Sequence, residues 1–206
     1  RKTLPNEVTL MQYFKSNGYT TRGGGKIFHG NNRPGDSLSW DYYFISKGHT
    51  RKSGRDRNLP KVSVGAGWFN WGPIDVPDDQ MQDVRTVNWA KSELRKNHDK
   101  PFFLACGFYR PHLPWYVPKK YFDKFPLDEI ILPEVKLDDL DDLPEYGKRF
   151  ARERYSGSWG TDLNEGERDH DLVIKYNQWK KGVQAYLASI SFVDTYVGEL
   201  LDGLDE

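Results

Sequence analysis

Val8, Leu10, Met11 and Phe14 recur at helical spacing within residues 6–17. A short amphipathic helix is predicted there, closed by Gly18 at the place of a left-handed cap. Tyr19, Thr20, Thr21 and Arg22 favour a strand, and Gly23-Gly24-Gly25 behind them frees the backbone to turn sharply. A second helix is predicted from Asp78, its cap, to about Asn97, with Met81, Val84, Val87, Ala90 and Leu94 along one face. Lys91, Arg95 and Lys96 in its later turns suit the helix dipole. Pro101 is followed by a continuous apolar run to Phe108, the pattern of a strand buried on both faces. From Tyr176 onward, Trp179, Val183, Tyr186, Leu187, Ile190, Val193, Val197, Leu200 and Leu201 trace the clearest helical stripe. Helix followed by doubly buried strand predicts an α/β domain with a parallel sheet.

Between these elements the periodicity fails. Residues 31–77 read as a long irregular excursion, and Trp40, Trp68 and Trp71 within it argue against disorder. Residues 126–172 are charged and loop-like. The 206 residues balance 30 Lys+Arg against 30 Asp+Glu, without the basic excess that phosphate backbones require, so nucleic acid is not an expected partner. No apolar run approaches the roughly 18 residues that cross a bilayer, so no membrane span is expected. One cysteine makes neither an internal disulfide nor a thiolate zinc cluster. The chain opens at Arg1 and stops directly behind its strongest helical pattern, which reads as a piece of something larger.

Two places offer chemistry. Gly25-Lys26-Ile27-Phe28-His29 puts a cation and an imidazole just past a predicted strand, where parallel α/β sheets bind ligands. A lysine there supplies a point charge and the histidine a proton or hydrogen bond, although a solvated surface pair has the same composition. The glycines also invite a P-loop reading, but Ile27 stands where that motif needs Ser or Thr. His112 lies between Pro111 and Pro114 just past the apolar strand, pre-positioned as an acid or base and able to converge with Lys26 and His29. The bland alternative is a packing histidine in a proline-rich loop. Cys106, inside an apolar strand, reads as an inert thiol. Asp169-His170-Asp171 reads as a solvated loop, and residues 137–143 as an exposed acidic turn without the ligand order of a calcium loop.

Taken in order, several segments resemble the sulfatase family, in its iduronate-2-sulfatase-like and choline-sulfatase-like branch of the alkaline-phosphatase-like superfamily. They are Leu10-Met11-Gln12-Tyr13-Phe14-Lys15-Ser16-Asn17-Gly18-Tyr19-Thr20-Thr21, Gly25-Lys26-Ile27-Phe28-His29, Trp71-Gly72-Pro73-Ile74-Asp75-Val76-Pro77-Asp78, the run from Lys100 through His112 to Pro114, and the run from Tyr186 to Gly198. The resemblance implies part of a three-layer sandwich with a mainly parallel central sheet, incomplete in this segment. Residues 1–206 would be the central portion of one catalytic domain, with cleft-forming loops at about 31–77 and 115–172.

By that resemblance Lys26 matches the lysine that binds a sulfate oxygen. His29 matches the histidine beside the catalytic formylglycine hydrate, and His112 the one that contacts the ester and helps protonate the leaving oxygen. The hydrated aldehyde attacks sulfur, the alcohol leaves, and sulfate is then released. Calcium and formylglycine are implied, with their residues lying outside this segment. The nucleophile motif C/S-x-P-S/A-x-R is absent, since Cys106 lacks the proline, and so are the acidic calcium elements. Alone, the segment is expected to be inactive. The resemblance implies as partners a sulfated carbohydrate or small sulfate ester and the remainder of the parent chain, and it favours a secreted, periplasmic or lysosomal location. Two alternatives stay open: a phosphatase or phosphodiesterase of the same superfamily, and a non-catalytic carbohydrate-binding module suggested by seven Trp and twelve Tyr.

Overall fold

A computed structural model describes residues 7–29, 34–46, 69–152 and 169–206. The chain divides into two compact units, one of residues 1–51, 76–111 and 191–206, the other of residues 52–75 and 112–190.

The first unit is built on three parallel strands, β1 (Thr20–Gly25), β2 (Tyr42–Phe44) and β4 (Phe102–Gly107), in the order β2-β1-β4. Parallel pairing among mixed helices and strands is what the sequence predicts for the fold class. Helix α1 (Leu10–Ser16) starts later than expected, because Thr9 and Gln12 close a capping box. Its Phe14 packs on Tyr19 and Phe103, ring centres 5.0 and 4.8 Å away. The predicted turn at the three glycines is corrected. Gly23 and Gly24 are strand residues, and a Cβ on either would stand 2.7 and 2.6 Å from the indoles of Trp40 and Trp89. Their missing side chains make room for rings, and only Gly25 takes a positive φ, of 81°.

Helix α2 (Gln82–Leu94) is preceded by a 3-10 turn at Asp78–Gln80, so the predicted single helix from Asp78 is split and shorter. Its Val84, Val87 and Ala90 are buried as the periodicity predicts. Glu93 is also buried and meets Arg22 at 2.8 Å and Lys96 at 2.7 Å. A carboxylate taken out of water needs such partners. Strand β4 is half-buried along its whole length, which corrects the expectation of burial on both faces. It stands at the edge of the described sheet, with β1 on one side only.

The second unit pairs β3 (Trp71–Ile74) with β5 (Trp115–Pro118), again in parallel. Thus two short strands, β2 and β3, interrupt the excursion expected over 31–77. Its residues 31–33 and 47–68 lie outside the described set. Trp71 and Trp115 face each other at 5.7 Å, and Trp115 reaches Tyr186 at 5.3 Å. Helices α3 (Lys119–Phe122), α4 (Glu145–Arg152) and α5 (Asp169–Lys175) punctuate the stretch read as loop. Asp169-His170-Asp171 therefore opens a helix and is not a loop. The His170 ring packs edge-on to Trp179 at 5.9 Å.

Helix α6 (Trp179–Asp205) confirms the longest predicted helix but not its buried face. Ala185, Ala188, Ser189 and Phe192 are fully buried, while Tyr186, Ile190, Val197 and Leu201 of the predicted stripe are exposed. A Cβ on Gly182 would meet the Trp71 indole at 3.5 Å, an ordinary packing distance. Within the first unit, Lys91 pairs with Glu199 at 2.7 Å and the Tyr196 hydroxyl donates to Asp78 at 2.5 Å.

The start of β2 is tied to β1 by Asp41, whose Oδ2 accepts the Thr21 N–H at 2.9 Å and hydroxyl at 3.1 Å. Lys15 Nζ lies 2.7 Å from Oδ1. Partial burial pushes the Asp41 carboxyl up, but Lys15 and the Thr21 donors outweigh it and hold the group below its ordinary value. A lowered carboxylate stabilises above the unfolded-state pKa, and that stability is lost as pH falls through the folded-state value. The Lys15 and Asp41 side chains are both more than a third exposed, so solvent screens the pair, and Asp41→Asn is expected to cost only about 0.5 kcal/mol at neutral pH. The difference from wild type should close below about pH 4, as read by denaturant midpoints across a pH series.

Candidate functional site

The C-terminal ends of β1 and β4 meet more closely than side chains allow. A Cβ on Gly25 would lie 1.9 Å from the Gly107 carbonyl oxygen, and one on Gly107 would lie 2.3 Å from the Lys26 carbonyl oxygen. Gly25 alone among nearby residues combines this approach with a left-handed φ of 81°. The Lys26 N–H donates to the Gly107 carbonyl at 3.0 Å, and the Tyr43 hydroxyl donates to the Gly25 carbonyl at 2.5 Å. The backbone that presents Lys26 is thus held from both flanking strands.

Beyond β4, the chain is pinned by Asp83 in the first turn of α2. Its Oδ1 accepts the Tyr109 N–H at 2.9 Å and its Oδ2 the Arg110 N–H at 3.0 Å. Asp83 and Arg110 are only 1% and 2% exposed, so this carboxylate and guanidinium are both out of water. Burial pushes the Asp83 carboxyl up, while Arg110 and the two backbone donors pull it back toward the charged form. The Tyr109 ring, itself buried, has Lys26 Nζ 5.2 Å and the Arg110 guanidinium 5.5 Å from its centre.

Lys26 is half-buried at the exit of β1, and His29 is exposed three residues further on. Among the described residues no carboxylate pairs with Lys26 Nζ. His112 is the first residue of the second unit's long segment and is exposed. Its Nδ1 stands 2.6 Å from the Leu113 carbonyl oxygen. A carbonyl only accepts, so Nδ1 is the donor in this contact. The Arg110-Pro111 and Leu113-Pro114 bonds on either side are both cis.

The cysteine is chemically silent. Burial, with the nearby Asp83 charge, pushes the Cys106 thiol up to about 12. It lies on β4 without the proline of the formylglycine motif, so this position does not fit that group. Among the described residues no cluster of three or more His, Cys, Asp or Glu is placed to hold a metal, so these residues offer no calcium site either. Asp83 and Tyr109 were not singled out by sequence reasoning. An acid in a helix's first turn is common for dipole reasons alone, and only its burial against the β4 exit reveals its task.

The sulfatase family model matches residues 2–206. A sulfatase of Formosa agariphila is 36% identical over 214 residues, covering 96% of this chain and 38% of its own length. Human iduronate 2-sulfatase is 32% identical over 230 residues, covering 98% of this chain and 38% of its own length. Among solved structures, BT4656 in complex with its substrate D-glucosamine-2-N,6-O-disulfate superimposes with a TM-score of 0.52 at 17% identity, over 97% of this chain and 47% of that one. That likeness shows the fold. The chain spans about 38% of the length of the two named sequence relatives.

The close approach of the strand ends predicts an asymmetry between two glycines of similar φ. Gly18, at 85°, has nothing within 4 Å of a Cβ, so Gly18→Ala should cost about 1 kcal/mol. Gly25→Ala must also push the Gly107 carbonyl aside and should cost about 3 kcal/mol or more, measured by chemical denaturation.

Proposed function

Because the chain belongs to the sulfatase family, we propose that it is the central part of a sulfuric-ester hydrolase domain acting on a sulfated carbohydrate. In this reading Lys26 binds a sulfate oxygen, His29 lies beside the nucleophile, and His112 donates a proton to the leaving oxygen. The nucleophile and calcium ligands come from outside residues 1–206, and the segment alone is inactive. The two loop regions at about 31–77 and 115–172 would wall the cleft.

The observation that carries this reading is the setting of Lys26. Its backbone is clamped between strand ends, and its ammonium has no carboxylate neighbour among the described residues. An unneutralised cation held at the carboxyl end of a parallel strand is suited to an anionic group. When the ester bond breaks, charge grows on the departing oxygen, and a fixed cation nearby lowers the energy of that state more than that of the starting ester. His112 complements it. The Nδ1–H bond to the Leu113 carbonyl orients its ring for the proton-donor role. A carbohydrate is favoured because a 32% identical relative is an iduronate 2-sulfatase, and a protein sharing the fold binds a disulfated glucosamine.

In the full-length protein, Lys26→Ala is expected to lower kcat/KM for a sulfate monoester by about 100-fold or more. His112→Ala should lower kcat by about 100- to 10,000-fold, with a smaller loss on substrates whose leaving alcohol is already a good leaving group. Steady-state kinetics on sulfate and phosphate esters of the same sugar check both. Unchanged kinetics in Lys26→Ala, or a preference for the phosphate ester, would overturn the reading.

A further inference from the structure

Lysine reaches its ligand on a flexible four-carbon stem, so an ammonium that must meet one oxygen needs something to hold it. The usual holder is a carboxylate, but that would cancel the charge the ligand is meant to find. Here the neighbour is an aromatic face, with Lys26 Nζ 5.2 Å from the centre of the Tyr109 ring. The ring's negative face attracts the cation without neutralising it, leaving the full positive charge for an anion on the other side.

Tyr109 is well anchored for this task. The residue is 8% exposed, its N–H is held by the buried Asp83, and the next residue's N–H is held by the other oxygen of the same carboxylate. Lys26 is fixed in turn by its N–H bond to Gly107, two residues before the tyrosine. Arg110 also approaches the ring, at 5.5 Å, but its charge answers that of Asp83. Ring and lysine therefore ride on adjacent strand exits whose separation is set by backbone bonds.

We propose that Tyr109 is a positioning residue for Lys26, its ring face holding the ammonium where it meets the sulfate oxygen, with Asp83 fixing the backbone that carries the ring. The proposal rests on the sulfate-binding role of Lys26 given above. It assigns the phenol hydroxyl no part, so the ring alone should suffice.

The test uses the full-length protein with four changes: Tyr109→Phe, Tyr109→Leu, Lys26→Ala, and Tyr109→Leu combined with Lys26→Ala. The readouts are kcat and KM for a sulfate monoester and the inhibition constant of inorganic sulfate. Tyr109→Phe, which keeps the ring face, should raise either constant less than Tyr109→Leu does. Tyr109→Leu should raise KM and the sulfate inhibition constant about three- to tenfold, with a smaller effect on kcat. In the Lys26→Ala background the same leucine should change either constant less than about twofold, because the cation it served is gone. A fluorinated phenylalanine at 109 keeps the ring's shape while draining its negative face. It should act like leucine even if leucine itself disturbs folding. Equal damage from Tyr109→Leu with or without Lys26, or wild-type constants with the fluorinated ring, overturns the positioning role while leaving the sulfatase reading intact. Unchanged constants in Lys26→Ala overturn the lysine's role and this proposal together.

Discussion

The contact on which the site depends is the meeting of β1 and β4 at Gly25 and Gly107. Parallel strands deliver their residues to one edge, and at this edge two backbones come within the space of a single methyl group. Neither position tolerates a side chain without moving a peptide. The register between the strands is therefore held by sterics as well as by hydrogen bonds. Lys26 follows directly on one strand and Tyr109 two residues beyond the other, so their spacing is inherited from the sheet.

Around that edge the polar groups are arranged so that each buried charge has a task. Asp83 secures two consecutive N–H groups and faces Arg110, and Glu93 answers Arg22 and Lys96. Removing Asp83 would leave two buried N–H groups at a strand exit without their acceptor, a larger penalty than the net contribution of the bonds themselves. Lys26 departs from this pattern. Its ammonium rests on an aromatic surface and meets no carboxylate among the described residues.

Much of this was legible in the letters, for reasons of period. Helices α2 and α6 and strand β4 announce themselves through spacing and continuity, and the parallel α/β class follows from their alternation. What failed was whatever depends on shape across the chain. The glycine triplet reads locally as a turn, but Gly23 and Gly24 are strand positions vacated for indole rings from elsewhere. On α6 the large apolar stripe promised the buried face, and packing buries Ala185, Ala188, Ser189 and Phe192 instead. Lys26, His29 and His112 stand out in the sequence as candidates because their types sit just beyond predicted strands. Asp83 and Tyr109 escaped because their importance lies in what they touch.

The single cysteine leads somewhere practical. With burial pushing the Cys106 thiol up to about 12, its thiolate is scarce at neutral pH. Alkylating probes that attack thiolates will pass it by. A cysteine placed on an exposed position of α6 such as Ile190 or Leu201 would then take a fluorophore or spin label alone, with the native residue left in place.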